Sequence, residues 1–195
     1  MCLNRDKKVS GFFNMVEYST VSNTGNREIN EDCVRTAEKD GRFCFVVCDG
    51  LGGHGRGEEA SQVVADHLME CFDKFGGEPD FLERALFSAQ QTLLCEQEAR
   101  RAVFEMKTTA VILTVSENSA RWGYVGDSRL YMFGGGRLKT RTLDHSVPQM
   151  LALAGDIREK EIRFHADRNK LLRVMGIKWA DDQFVISDVQ PLKKK

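Results

Sequence analysis

Three short blocks hold most of the side chains able to do chemistry. In Gly25-Asn26-Arg27-Glu28-Ile29-Asn30-Glu31-Asp32, two adjacent carboxylates, Glu31 and Asp32, follow an arginine by a few residues. In Val46-Val47-Cys48-Asp49-Gly50-Leu51-Gly52-Gly53-His54-Gly55-Arg56-Gly57, an apolar run meets a carboxylate, and five glycines fall within the next eight residues. Gly126-Asp127-Ser128-Arg129 places a further carboxylate in a tight turn. A carboxylate at the end of a strand has little freedom, and an adjacent glycine lets a backbone carbonyl approach a cation closely. Oxygen donors of this kind suit Mg²⁺ or Mn²⁺. An arginine beside them suits phosphate, whose oxygens match its planar fork. Singly, each block also has an ordinary explanation, since Asp, Asn and Gly are common turn residues.

The glycine block admits a second reading. Gly50 to Gly55 satisfies the G-x-G-x-x-G pattern of dinucleotide-binding loops and lies between a strand and a helix. Three features oppose it. Asp49 would set a negative charge against the pyrophosphate. The residues ~20 positions on, where an acid should end a second strand, still belong to a helical pattern. The later strands come as hairpins without crossover helices. No Gly-Lys-Ser/Thr follows the glycines, which excludes a Walker loop.

The elements that must position these blocks follow from periodicity. Val16–Ser22 reads as a first strand, and Phe43–Cys48 as a strand covered on both faces. Glu58–Phe75 and Asp80–Arg101 carry apolar residues at helical spacing, the first stopped by Gly76-Gly77 and the second opened by Pro79. Thr109–Val115, Ala120–Val125 and Leu130–Phe133 return to strand character, with Gly134-Gly135-Gly136 closing a hairpin. Residues 147–175 read as mostly helical, and Phe184–Ser187 as a last strand. Strands, two helices, then strands in antiparallel connection indicate an α+β fold.

Composition narrows the function. At 195 residues, with 42% hydrophobic and 29% charged residues, the chain suits one globular domain. A formal charge of −1 and scattered aromatics give no case for nucleic acid. The six cysteines show no C-x-x-C pairing and read as reduced core thiols. No apolar stretch reaches the ~18 residues of a membrane span. These features point to a cytoplasmic protein.

Taken together and in order, the blocks resemble the metal-dependent protein serine/threonine phosphatases of the PPM family (type 2C), in a bacterial style. The matching pieces are Arg27 with Asn30-Glu31-Asp32, the Val46–Gly57 block running on through Glu58-Glu59-Ala60-Ser61, Thr108-Thr109-Ala110, and Gly126-Asp127-Ser128-Arg129. Leu143-Asp144-His145-Ser146 and Arg168-Asn169-Lys170-Leu171-Leu172-Arg173 also fit. The resemblance implies two antiparallel sheets packed as a sandwich, flanked by helices, with two Mn²⁺ or Mg²⁺ ions and a weaker third. It implies that Asp49 bridges two metals, that the Gly50 carbonyl binds one, that Glu31 and Asp32 hold metal in part through water, that Asp127 serves the third, and that Arg27 holds the substrate phosphate. A metal-bridging water would then hydrolyse phosphoserine or phosphothreonine in a protein that is a kinase's target.

This sequence departs from the family pattern twice. Leu51 stands where some members carry a histidine, and His54 does not inherit that role. The Ser-Asp-Gly and Asp-Asn blocks that complete the family's metal site are absent from the 195 residues, and Ser187-Asp188-Val189 is a poor substitute. The expected organisation is a loose leader over residues 1–15, a C-terminally incomplete phosphatase-like domain over 16–192 and a basic tail over 193–195. Such a chain is expected to have weak or no activity alone. The alternative is a non-catalytic binding or regulatory module, with self-association through an unfinished sheet edge.

Overall fold

The computed structural model describes residues 2–4, 16–52, 55–179 and 183–192. Its centre is an antiparallel sheet in which β3 (Asp32–Lys39), β4 (Arg42–Asp49), β5 (Ala110–Val115) and β6 (Ser119–Val125) lie side by side in chain order. Two short strands, β9 (Val185–Ile186) and β10 (Gln190–Pro191), pair with the outer edge of β6. All ladders among these strands are antiparallel, so the parallel crossover that a dinucleotide-binding loop requires does not exist here.

Helices α1 (Gly57–Phe75) and α2 (Phe81–Ala99) cover one face of the sheet. Cys44, Val46 and Cys48 project from alternate positions of β4 into the same core as Ala60, Val64 and Leu68 of α1 and Leu82, Leu86 and Leu93 of α2. These side chains are fully or nearly fully buried, each large one stabilising by about 1.5–3 kcal/mol. Cys33, Cys44, Cys48 and Cys71 are free thiols in this core, whereas Cys95 is exposed. The opposite face carries a smaller cluster of Val111, Trp122 and Tyr124 against Leu130 and Met132. Met132 belongs to the two-stranded ribbon of β7 (Tyr131–Gly134) and β8 (Arg137–Arg141), the second, much smaller layer. Gly135 and Gly136 turn this hairpin at φ +59° and +73°, a conformation that side chains disfavour.

The sequence reading misses β3, and the reason is physical. Arg35 and Lys39 share the α1-facing side of the strand with buried Cys33 and tie it to that helix through Arg35–Asp66 at 2.7 Å and Lys39–Asp73 at 2.9 Å, so polar residues interrupt the apolar alternation. The first strand is shorter than expected: β2 (Thr20–Ser22) pairs with β1 (Cys2–Asn4), which falls within the leader. The helical expectation over 147–175 needs correction. Only α3 (Val147–Ala154) and a 3-10 turn (Glu159–Phe164) are helical there. α3 is capped by the Ser146 hydroxyl, which accepts from the Gln149 amide, and by Gly155 at φ +86°. Beyond it the backbone finds distant partners: the Leu172 amide donates to the His145 carbonyl and the Met175 amide to that of Thr108. No helix of the described residues is long and apolar enough to cross a membrane.

Candidate active site

The ladder of β3 and β4 sets the two central carboxylates. Asp32, the first residue of β3, stands directly opposite Asp49, the last of β4. Asp49 is fixed from both sides of its peptide: its amide donates to the Thr109 hydroxyl at 3.0 Å, while its carbonyl accepts from the Thr109 amide and the Thr108 hydroxyl, each at 2.9 Å. Gly50 continues the pairing by donating to the Glu31 carbonyl at 3.0 Å, and Ser61 of α1 donates to that same oxygen at 2.6 Å.

The glycines are there for closeness. A Cβ on Gly50 would lie 2.2 Å from the Gly57 carbonyl oxygen, and one on Gly52 would lie 1.9 Å from a Glu31 carboxylate oxygen. The loop therefore folds back over Glu31, whose side chain receives the Arg27 guanidinium at 2.5 Å. Arg27 is 63% exposed and Glu31 only 13%, so the arginine can exchange its partner while the glutamate stays under the loop. Gly53 and His54 lie outside the described residues.

Above these groups opens a cleft of about 590 Å³, lined by Arg27, Asp49, Gly50 and Asp127. Three of the sequence blocks thus meet in one cavity. Burial pushes Asp49 up to about 6, and the charges of Asp32 and Asp127 push it the same way, against Arg27. Asp127 is also raised, first by burial and then by Asp144, with its own backbone amide and Arg129 opposing. Asp188 lies between β9 and β10, away from the residues lining this cleft.

Among the described residues, no three His, Cys, Asp or Glu side chains stand close enough to hold a metal ion together. What the site offers is the Asp32–Asp49 pair, the Gly50 carbonyl and Asp127 as oxygen donors with their charges incompletely compensated. That donor chemistry fits a hard cation such as Mg²⁺, which keeps several waters and needs only one or two protein carboxylates.

Lys107, Asn169 and Ile177 also line the cleft; Asn169 falls in the 168–173 block quoted from the sequence, whereas Lys107 and Ile177 were missed. Lys107 holds the loop through its carbonyl, which accepts from the Leu51 amide at 2.9 Å. Residues 174–177 are tied down by two buried glutamines of α2. Gln97 donates to the carbonyls of Met106 and Gly176 at 2.6 and 2.7 Å, and Gln90 accepts from the Gly176 amide at 2.8 Å while donating to the Ile177 carbonyl. Buried glutamines on an otherwise apolar helix face were the available signal.

Comparison with known proteins gives the family and the fold. The family model for protein phosphatase 2C matches residues 21–148. The serine/threonine phosphatase stp of Listeria monocytogenes is 28% identical over 169 residues, covering 82% of this chain and 67% of that protein. The crystal structure of the serine/threonine phosphatase Stp1 from Staphylococcus aureus superposes with a TM-score of 0.76 at 28% identity, over 97% of this chain and 75% of that one. The catalytic domain of the serine/threonine protein phosphatase PstP in complex with two manganese ions does so with a TM-score of 0.69 at 26% identity, over 86% and 68%.

Proposed function

This chain belongs to the protein phosphatase 2C family, and from that premise we propose that it hydrolyses phosphoserine and phosphothreonine in proteins, in a reaction that depends on Mn²⁺ or Mg²⁺. By family it is a phosphoprotein phosphatase; the metal, the residue roles and the activity of these 195 residues are the proposal. The observation that carries it is Asp49, opposed in register by Asp32, lining one cleft together with Arg27, Gly50 and Asp127.

Asp32, Asp49 and the Gly50 carbonyl would hold the divalent cations, with Glu31 close beneath and Asp127 available to a third. Bound there, such ions supply Lewis acidity toward water and phosphate and neutralise negative charge. The chain's own groups do the rest. Arg27 leaves Glu31 to fork two phosphate oxygens, exchanging one charge-assisted pair for another. Lys107 adds a second cation to the phosphate's surroundings. Thr108 and Thr109 hold the Asp49 main chain, so its carboxylate projects from a fixed point of the ladder before substrate arrives. The leaving serine or threonine alkoxide exits toward the open side of the cleft, where solvent can protonate it. The protein is proposed to act in the cytoplasm.

The test is phosphopeptide hydrolysis in Mn²⁺ by the wild-type chain and by Arg27→Ala. The expected result is release of phosphate from phosphothreonine and phosphoserine peptides, with kcat/KM lower by about 10²-fold in the variant. Equal rates in both proteins would remove Arg27 from the substrate site.

A further inference from the structure

The turn that carries Asp127 into the catalytic cleft carries Arg129, two residues on, into a second one. This cleft, of about 570 Å³, lies between the β7–β8 ribbon and the 3-10 turn, and its walls hold Arg129, Arg141, Arg158, Lys160 and Arg163 with Glu159 as the one carboxylate. In a chain of formal charge −1, that is a marked local concentration of positive charge.

Part of it is fixed. Arg129 grips both oxygens of the buried Asp144 at 2.6 and 2.5 Å, and its guanidinium also donates to the Tyr131 hydroxyl. Arg141 is 14% exposed although its partner Glu159 is 68% exposed, so the wall of the protein, not the ion pair, holds this arginine in place. Arg158 pairs with Glu161. Lys160 and Arg163 differ. Among the described residues neither has a carboxylate partner, and Arg163 only lies over the Phe164 ring, 4.9 Å from its centroid. Both are exposed. Single exposed cations are commonly just solvated; here two of them stand over a floor of arginines already held in position, an arrangement that lowers the ordering cost of binding an anion.

We infer that this cleft docks an acidic stretch of the phosphoprotein substrate, taking carboxylates or a second phosphate group that flank the residue in the catalytic cleft. The inference rests on the phosphatase reading. The chemistry is that of guanidinium and ammonium groups toward anionic oxygens, and the shared 126–131 segment places both clefts along one substrate chain. Lys160 and Arg163 act as specificity residues, since they stand outside the catalytic cleft.

The experiment separates binding from turnover. Three fluorescent phosphothreonine peptides, flanked by Asp and Glu, by Asn and Gln, or by a second phosphoserine, are titrated into the wild-type chain and into Lys160→Gln/Arg163→Gln at low salt, with aryl phosphate hydrolysis in Mn²⁺ measured alongside. Wild type is expected to bind the acidic and doubly phosphorylated peptides about tenfold more tightly than the neutral one, a preference lost in the double variant and in high salt. Aryl phosphate turnover, which needs no second cleft, is expected to be equal in both proteins. Preference for the doubly phosphorylated peptide alone supports the cleft and assigns its anion to phosphate. Equal binding of all three peptides by wild type, or a preference that the double variant retains, overturns the inference. Absent aryl phosphate turnover with the preference intact sinks the phosphatase reading and leaves a surface for acidic segments.

Discussion

One wall of the catalytic cleft is the end of a β-ladder, while the wall opposite is a loop without a ladder of its own. On the ladder side, Asp32 and Asp49 are opposed by register, and the hydroxyls of Thr108 and Thr109 with the Thr109 amide hold the Asp49 main chain. Their geometry is a by-product of strands that the apolar core already requires. On the loop side, Val174 and Ile177 hold position because Gln90 and Gln97 reach up from α2 and because Met175 bonds with Thr108. The Asp32–Asp49 pair of the first wall comes from a single hairpin, whereas the second depends on a few polar contacts across nearly 80 residues of sequence or more. The ladder side should thus be sensitive in chemistry and the loop side in stability.

Asp49→Asn is the sharpest break on the ladder side. It preserves shape and removes charge where cations and phosphate meet, so kcat for aryl phosphate is expected to fall by ~10³-fold, with a metal-free melting temperature no lower than wild type. A loss of stability equal to that of a core substitution would mean Asp49 is structural. Next is Gly50→Ala, whose new methyl would lie 2.2 Å from the Gly57 carbonyl oxygen. Moving that backbone is expected to cost about 1–3 kcal/mol and, by displacing the Asp49 carboxylate, about 10²-fold in kcat. Retained activity would show that the loop can relax.

Gln97→Leu tests the other wall. It strips donors from the buried carbonyls of Met106 and Gly176, and the urea midpoint is expected to drop by the equivalent of about 1–3 kcal/mol. Turnover below the transition should fall less than in Gly50→Ala. If the variant were as stable as wild type, the glutamine would not be the anchor.

An effect seen only on acidification concerns His145, which joins the two walls. Its backbone amide bonds the Gly126 carbonyl, its Nδ1 accepts from the Gly126 amide at 3.1 Å, and its ring stacks on Tyr124. Burial pushes its pKa down to about 4, the Arg173 charge adds to this and Asp144 opposes it. Free in the unfolded chain it titrates near ~6.5. Between those values the unfolded state binds more protons, so the stabilisation is complete above 6.5 and is lost as pH falls toward 4. By pH 5 the loss should be on the order of 2 kcal/mol, read as the difference between wild type and His145→Gln in urea melts at pH 7 and pH 5. Parallel shifts in both proteins would remove His145 as the cause.

The ladder side was legible in the sequence because its signals are local. The run Phe43–Cys48 ends on Asp49-Gly50, and both helices were visible from the spacing of Val64, Leu68, Leu86 and Leu93. Strand β3 was hidden because Arg35 and Lys39, on its helix-facing side, look like loop until α1 supplies Asp66 and Asp73. The loop side was illegible for a related reason. Over 165–175 the charged residues suggest an exposed helix, but the backbone there bonds to Thr108 and His145, and no periodicity records such partners. Lys107 gave no signal of its own, since a single lysine before two threonines becomes informative only once Leu51 is seen to rest on its carbonyl.

The most direct test of the central claim is the rate of aryl phosphate hydrolysis by the wild-type chain as Mn²⁺ is titrated in after chelation. The account predicts saturable, metal-dependent turnover, abolished by chelator and restored by Mn²⁺ or Mg²⁺. A folded chain with no turnover at saturating metal, or with turnover indifferent to chelator, would contradict it.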